Sequence, residues 1–176
     1  MHGTKPELGW LTNEAWEDAP LRERALLWAS FFSDVVRPRE TPLNSNRGEW
    51  VNRFLRGAGV SPGQPWCASF VAFCYKMAGM DFLPKNPASV YGWVHNGIKA
   101  GVTKQVTKPA RGDLFFWLNA DNHGHTGFIV KVNMLWIETI EGNAQPGEGG
   151  DQREGGGVYR RKRLRVPKIK FLRVNG

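Results

Sequence analysis

His125-Thr126-Gly127-Phe128-Ile129-Val130-Lys131-Val132-Asn133-Met134-Leu135-Trp136-Ile137-Glu138-Thr139-Ile140-Glu141-Gly142-Asn143 reads as a β-hairpin. Gly127 to Val132 and Leu135 to Glu141 are short runs rich in β-branched and aromatic residues, and the chain turns between them near Asn133-Met134. Side chains alternate with period two along a strand. In one register His125 faces Glu141; in another it faces Asn143. Both registers place His125, Glu141 and Asn143 on one face and turn Gly142 to the other.

The same pattern recurs downstream. Asp113 to Leu118, Val158 to Leu164 and Ile169 to Val174 read as further strands, and Gly147 to Gly157 as a glycine-rich, charged loop. Before Gly101 the period is helical. Leu21, Ala25, Trp28, Phe32 and Val35 recur at helical spacing after Asp18-Ala19-Pro20, and Pro38 ends that helix. A second helix is expected from Asn46, with Glu49 completing a variant capping box. Trp50, Val51, Phe54 and Leu55 form its apolar stripe, and Gly57 and Gly59 close it. A third begins near Cys67, with Phe70, Val71, Cys74 and Met77 on one face and Gly79 as its stop. A fourth opens at Asn86-Pro87, is lined by Val90, Trp93, Val94 and Ile98, and ends at Gly101. Helices followed by closely spaced strands predict an α+β domain, with N-terminal helices packed on a five- or six-stranded antiparallel sheet.

The chain has 176 residues, of which 41% are hydrophobic and eight are Trp. That length suits one domain, burying roughly 70% of its unfolded surface. No apolar run reaches the roughly 18 residues of a membrane span. Met1-His2-Gly3-Thr4-Lys5 lacks a hydrophobic core, so no secretory signal is expected and synthesis in the cytoplasm is. The two cysteines, Cys67 and Cys74, are too few for a disulfide scaffold. On one helix they would lie about 10.5 Å apart along the axis, beyond disulfide reach, so both thiols are expected free. The net charge of +8 favours acidic partners: nucleic acid, an anionic membrane or an anionic cell wall.

Cysteine chemistry needs a thiolate, a base and donors for an oxyanion. Gly63-Gln64-Pro65-Trp66-Cys67-Ala68-Ser69-Phe70 sets Cys67 at a helix start, where the dipole favours a thiolate and free N–H groups face outward. Spacing alone allows Cys67 to be a small core residue equally well; Cys74, deeper in the stripe, reads as core. His125 is the candidate base, ahead of His123, which sits further into the loop. Glu141 or Asn143 would fix its tautomer, although each alone also reads as an ordinary strand-end or turn residue. Asp121, His123 and His125 offer a weaker metal reading. H-E-x-x-H, G-x-S-x-G and G-x-x-x-x-G-K-[ST] are absent, which removes the common zinc protease, serine hydrolase and P-loop readings.

Four stretches resemble the CHAP family of cysteine, histidine-dependent amidohydrolases and peptidases, related to NlpC/P60 and papain. They are Asn46-Arg47-Gly48 with Val51 and Phe54-Leu55; Pro65 to Val71; Gly112 to Trp117; and His125 to Val130 followed by Thr139 to Asn143. The resemblance implies a papain-like fold, with residues 1–20 as an N-terminal extension and 21–176 as one catalytic domain. It implies Cys67 as nucleophile, His125 as base, and Glu141 and Asn143 as orienting residues, one of them closing a triad. The backbone N–H of Cys67 would serve the oxyanion. Gln64, Trp66 and Trp117 are candidates for oxyanion or substrate contact, although papain-like enzymes place such a Gln further upstream. No cofactor is implied, and the acidic loop that binds calcium in some relatives has no counterpart here.

The implied activity is peptidoglycan hydrolysis, as an N-acetylmuramoyl-L-alanine amidase or a cross-link endopeptidase working through a thioester. A monomer acting on peptidoglycan or its stem peptides, as a phage endolysin released by a holin or an injected effector, fits this reading. Two other functions use the same residues differently. One is a cysteine peptidase or deamidase acting on protein. The other is a nucleic-acid-binding protein whose basic tail, Arg160 to Arg165 with Lys168-Ile169-Lys170, carries the function. The tail's charges alternate with apolar residues in Arg163-Leu164-Arg165-Val166, as on the solvated face of an amphipathic strand, which makes nucleic acid the lesser expectation.

Overall fold

Between Cys67 and Met77 only Lys76 carries a charge, and a helix apolar all round has to be covered all round. A computed structural model, describing residues 3–9, 11–146 and 155–176, shows how this is done. The helices are α1 (Asn13–Asp18), α2 (Leu21–Phe31, continued by a π-turn over Phe32–Val36), α3 (Glu49–Gly57), α4 (Cys67–Met77) and α5 (Gly97–Lys99, entered through a π-turn over Gly92–Asn96). The strands are β1 (Thr103–Val106), β2 (Leu114–Leu118), β3 (Gly124–Val132), β4 (Trp136–Ala144), β5 (Gly157–Leu164) and β6 (Lys170–Val174). They form one antiparallel sheet in the order β1-β6-β2-β3-β4-β5. The expected α+β class and antiparallel sheet are therefore present.

Helix α4 lies between α2 and α3 on one side and β3 and β4 on the other. Ala68, Phe70, Val71 and Tyr75 are fully buried. Phe70 meets Phe54 edge-on at 5.4 Å and Phe128 of β3 at 6.2 Å, which ties helix to sheet. A second, smaller cluster of Phe115, Ile129, Ile137, Ile169 and Phe171 covers the other face of the sheet.

Gly142 lets β4 reach α4. A Cβ there would sit 2.6 Å from Phe70 Cβ and 2.9 Å from the Trp66 ring. Gly142→Ala is expected to destabilise the protein by about 1–3 kcal/mol through overpacking. It should also lower activity, because Glu141 and Asn143 would move with it. Urea unfolding beside an activity assay checks both.

Several local expectations are corrected. Helix α3 starts at Glu49 with Gly48 as its N-cap, so the Asn46–Glu49 capping box does not form. Asn46 instead has φ +51°, and its N–H donates to Glu40 Oε2 at 3.2 Å. The fourth helix is short, and Ile98 is exposed instead of lining it. Strand β1 was not anticipated: Thr103-Lys104-Gln105-Val106 has little apolar character and is held by pairing with β6. Most of the loop at 147–157 lies outside the described residues. At the N-terminus, Leu11 and Trp16 are buried, and the Thr4 N–H donates to Met77 O at 2.9 Å.

The basic tail also differs from a solvated outer face. Arg161 is buried and Arg163 half-buried, while Leu164 is exposed. Arg163 turns inward because the buried carboxylate of Glu141 lies there, whereas Lys168 and Lys170 stay exposed beside buried Ile169 and Phe171, as on a solvated amphipathic face.

Candidate active site

Cys67 opens α4, and Trp66, its N-cap, supplies no side-chain cap. The N–H groups of that first turn therefore have no acceptor within the helix. They and the positive end of the dipole point where an anion would form.

His125 is buried in β3, and its Nε2 lies 2.8 Å from Glu141 Oε2. Cys67 lies near enough to the same imidazole to favour its protonated form. With Nε2 engaged by Glu141, Nδ1 is the nitrogen left for the thiol. The imidazole thus stands between two partners, the carboxylate of Glu141 and the thiol of Cys67.

Glu141 is fully buried and saturated with donors. Its Oε1 accepts from Thr139 Oγ1 at 2.5 Å and Arg163 Nε at 2.6 Å; its Oε2 accepts from Arg163 Nη2 at 2.5 Å as well as from His125. The fork-shaped, two-bond pairing by Arg163 fixes the carboxylate plane. Burial opposes the charged forms of both partners. For His125, the interactions with Cys67 and the hydrogen bond it donates to Glu141 overcome it and push the imidazole up to about 9. For Glu141, hydrogen bonds from His125 and Arg163 hold the carboxyl down to about 2. The pair is thus an imidazolium beside a carboxylate at neutral pH.

The hairpin register resolves to the one that places Asn143 opposite His125, since Phe128 pairs with Ile140 and Ile129 with Thr139. Glu141 reaches the imidazole along the diagonal. Strict alternation stops at Asn143, which has φ +54° where the β4–β5 ladder is irregular. Asn143 is 1% exposed, lines the cleft with Cys67, and its Oδ1 has no hydrogen-bond partner among the described residues.

That cleft has a volume of about 750 Å³ and opens above Cys67. Gln64 and His123 line it, both exposed. His123 makes no contact with Glu141; its backbone N–H donates to Asn119 Oδ1 at 2.9 Å. Trp66 is fully buried, stacks on Phe54 at 5.8 Å and donates to Glu40 Oε1 at 2.8 Å, so it presents no surface to a substrate. Trp117 pairs with His125 in the ladder but packs against the second apolar cluster, outside the cleft. Asp121, His123 and His125 are not brought together, and among the described residues no three His, Cys, Asp or Glu side chains group to hold a metal. Cys67 and Cys74 are both free; Cys74 is wholly buried, and burial pushes its thiol well up.

Residues 59–143 match the family model of the CHAP domain. The chain carries a CHAP domain. Such a domain is a cysteine, histidine-dependent amidohydrolase or peptidase, so this protein is an enzyme of that class. The matched segment contains Cys67, His125, Glu141 and Asn143. No curated protein and no solved structure matches the chain.

Two residues that serve this CHAP site were not legible in the sequence. Arg163 lies twenty-two residues beyond Glu141, outside the matched segment. Its one signal is parity: across the β4–β5 ladder Arg161 pairs with Thr139 and Arg163 with Ile137, on the face that Glu141 shares. Glu40 carries no signal; a loop folds it beneath Trp66, which anchors the segment leading into Cys67.

Arg163→Gln is expected to raise the Glu141 pKa and move the acid limb of the pH–rate profile to higher pH, with activity down about tenfold or more at neutral pH. Arg163→Lys should recover part of that shift. An unmoved acid limb would remove Arg163 from this role.

The His125–Glu141 pair also predicts how stability depends on pH. His125 is raised above its ordinary 6.5, so its contribution is full below 6.5 and is lost as pH rises through about 9. Glu141 is lowered from 4.5, so its contribution is full above 4.5 and is lost as pH falls through about 2. Urea unfolding at stepped pH should show the pair contributing most between 4.5 and 6.5. The wild-type excess over a His125→Ala, Glu141→Gln double variant should shrink on either side of that window.

Proposed function

We propose that this CHAP domain hydrolyses an amide bond of peptidoglycan, either between N-acetylmuramic acid and L-Ala or within the stem peptides and cross-bridges. The observation that carries the reading is Cys67 at an uncapped helix N-terminus in an open cleft, with His125, paired to Glu141, beside it.

Each step follows from that arrangement. The Cys67 sulfur attacks the amide carbonyl carbon as its proton passes to His125. The carbonyl oxygen gathers negative charge and is met by the Cys67 backbone N–H at the end of α4. His125 passes its proton to the leaving amine, the C–N bond breaks, and a thioester remains on Cys67. Water then loses a proton to His125, attacks the thioester and releases a carboxylate. The Cys67 sulfur recovers the proton. Glu141 stabilises the imidazolium at every stage without being protonated itself.

The test is release of new amino groups and reducing ends from purified peptidoglycan in reducing buffer. Amines without reducing ends, absent in Cys67→Ala, support the reading, and mass spectrometry of the products names the bond. No release from walls of several chemotypes would favour the second reading, a peptidase or deamidase acting on protein.

A further inference from the structure

At the end of the sheet away from His125, two adjacent loops present large apolar side chains to solvent. Met134 is 84% exposed, Leu135 67%, Leu164 67% and Val166 37%. They form one patch. The Arg165 N–H donates to Leu135 O at 2.9 Å, and Trp136 pairs with Leu164 across β4 and β5. A groove of about 480 Å³ runs beside them, lined by Trp136, Lys162 and Lys168 among others. Lys162 Nζ sits 4.9 Å from the Trp136 ring centre.

The charge around this patch has one sign. Segments 131–136 and 162–170 contain Lys131, Lys162, Arg163, Arg165, Lys168 and Lys170 and no acidic residue. Arg163 is committed to Glu141; the other five are exposed. Glu138, cross-strand from Lys131 and Lys162, is the nearest acid in the ladder.

We propose that this end of the protein is a docking surface for an anionic phospholipid bilayer. Cations alone would suit nucleic acid or an anionic wall polymer equally well. Neither of those rewards four large apolar side chains held outward, whereas a bilayer takes apolar tips below its headgroups while lysines and arginines meet the lipid phosphates. Trp136, half-exposed between the two chemistries, suits the headgroup level. The geometry also leaves the enzyme free to work. His125 and Val132 stand at opposite ends of β3, about 23 Å apart at the rise of an extended strand, so a docked molecule holds its cleft away from the membrane. This proposal does not depend on which bond the cleft hydrolyses.

The test is co-sedimentation of the full chain with vesicles of phosphatidylcholine containing phosphatidylglycerol, against phosphatidylcholine alone. Wild type should bind the anionic vesicles and release them as salt rises. Leu135→Ser with Leu164→Ser, and separately Lys162→Glu with Lys168→Glu, should each weaken partition by about tenfold or more. Circular dichroism and hydrolysis of soluble muropeptides should match wild type in both. No binding to the anionic vesicles overturns the proposal. So does binding that the leucine pair leaves unchanged, which would assign the surface to a polyanion read by charge alone. A concentration-dependent dimer that the leucine pair dissolves, without vesicle binding, would overturn it in favour of a second copy of the chain.

Discussion

Cys67→Ala is expected to cut kcat by about four orders of magnitude or more, the scale seen when a covalent nucleophile is removed. Among the described residues no second thiol can replace the proposed nucleophile. Cys74, the other thiol, is wholly buried and its thiol is pushed up by burial. Cys67→Ser should be nearly as inactive, because a hydroxyl ionises far less readily than a thiol at the same helix end. Neither change should disturb the fold. Cys67 is 6% exposed but small, and Ala removes one sulfur atom at the edge of an open cleft. Thermal melts within a few degrees of wild type, beside loss of amine release, would locate the effect in the chemistry. Full activity in Cys67→Ala would end the mechanism proposed here.

Glu141→Gln has the next largest expected effect, and it acts on two quantities at once. An amide in place of the carboxylate holds the imidazole less well and removes the negative charge that stabilises imidazolium. The corresponding change in a Ser-His-Asp site costs about 10⁴ in kcat, so a loss of about 10²–10⁴ in kcat/KM is expected here. Stability should fall as well, by about 3 kcal/mol, because Arg163 loses the buried charge it was paired with. Asn143→Ala is the informative comparison. Asn143 lines the cleft beside Cys67 but does not hold His125 through any hydrogen bond found in the structure. Its removal should lower kcat less than Glu141→Gln and leave the pH profile in place. The reverse order of effects would make Asn143 the orienting group.

The basic strand changes meaning between the two predictions and the bilayer proposal. Arg163 turns inward to neutralise Glu141, and Arg160 pairs with Asp34 at 2.6 Å. What remains outward is Lys162, Arg165 and Lys168 around exposed Leu164 and Val166. A single run of basic residues therefore splits into partners of buried or exposed carboxylates and part of an outer surface.

The sequence by itself determined four of the helices and the five strands β2 to β6 in their order, the helix start at Cys67 and the hairpin that carries His125 and Glu141. These are local matters. Apolar period, proline and glycine punctuation, and two-residue alternation act over a few residues, and the chain states them openly. It also held Cys67 apart from Cys74 by helix geometry. The tertiary structure alone decided which of Glu141 and Asn143 meets the imidazole, because the register depends on a bulge between Ile129 and Lys131 and on the positive φ of Asn143. It decided that Trp66 is a core residue anchored on Glu40, since that contact joins positions 26 residues apart. It also decided that Arg163 faces inward. A buried carboxylate needs a counter-charge, and which strand supplies one follows from sheet order, which no local pattern in the chain encodes.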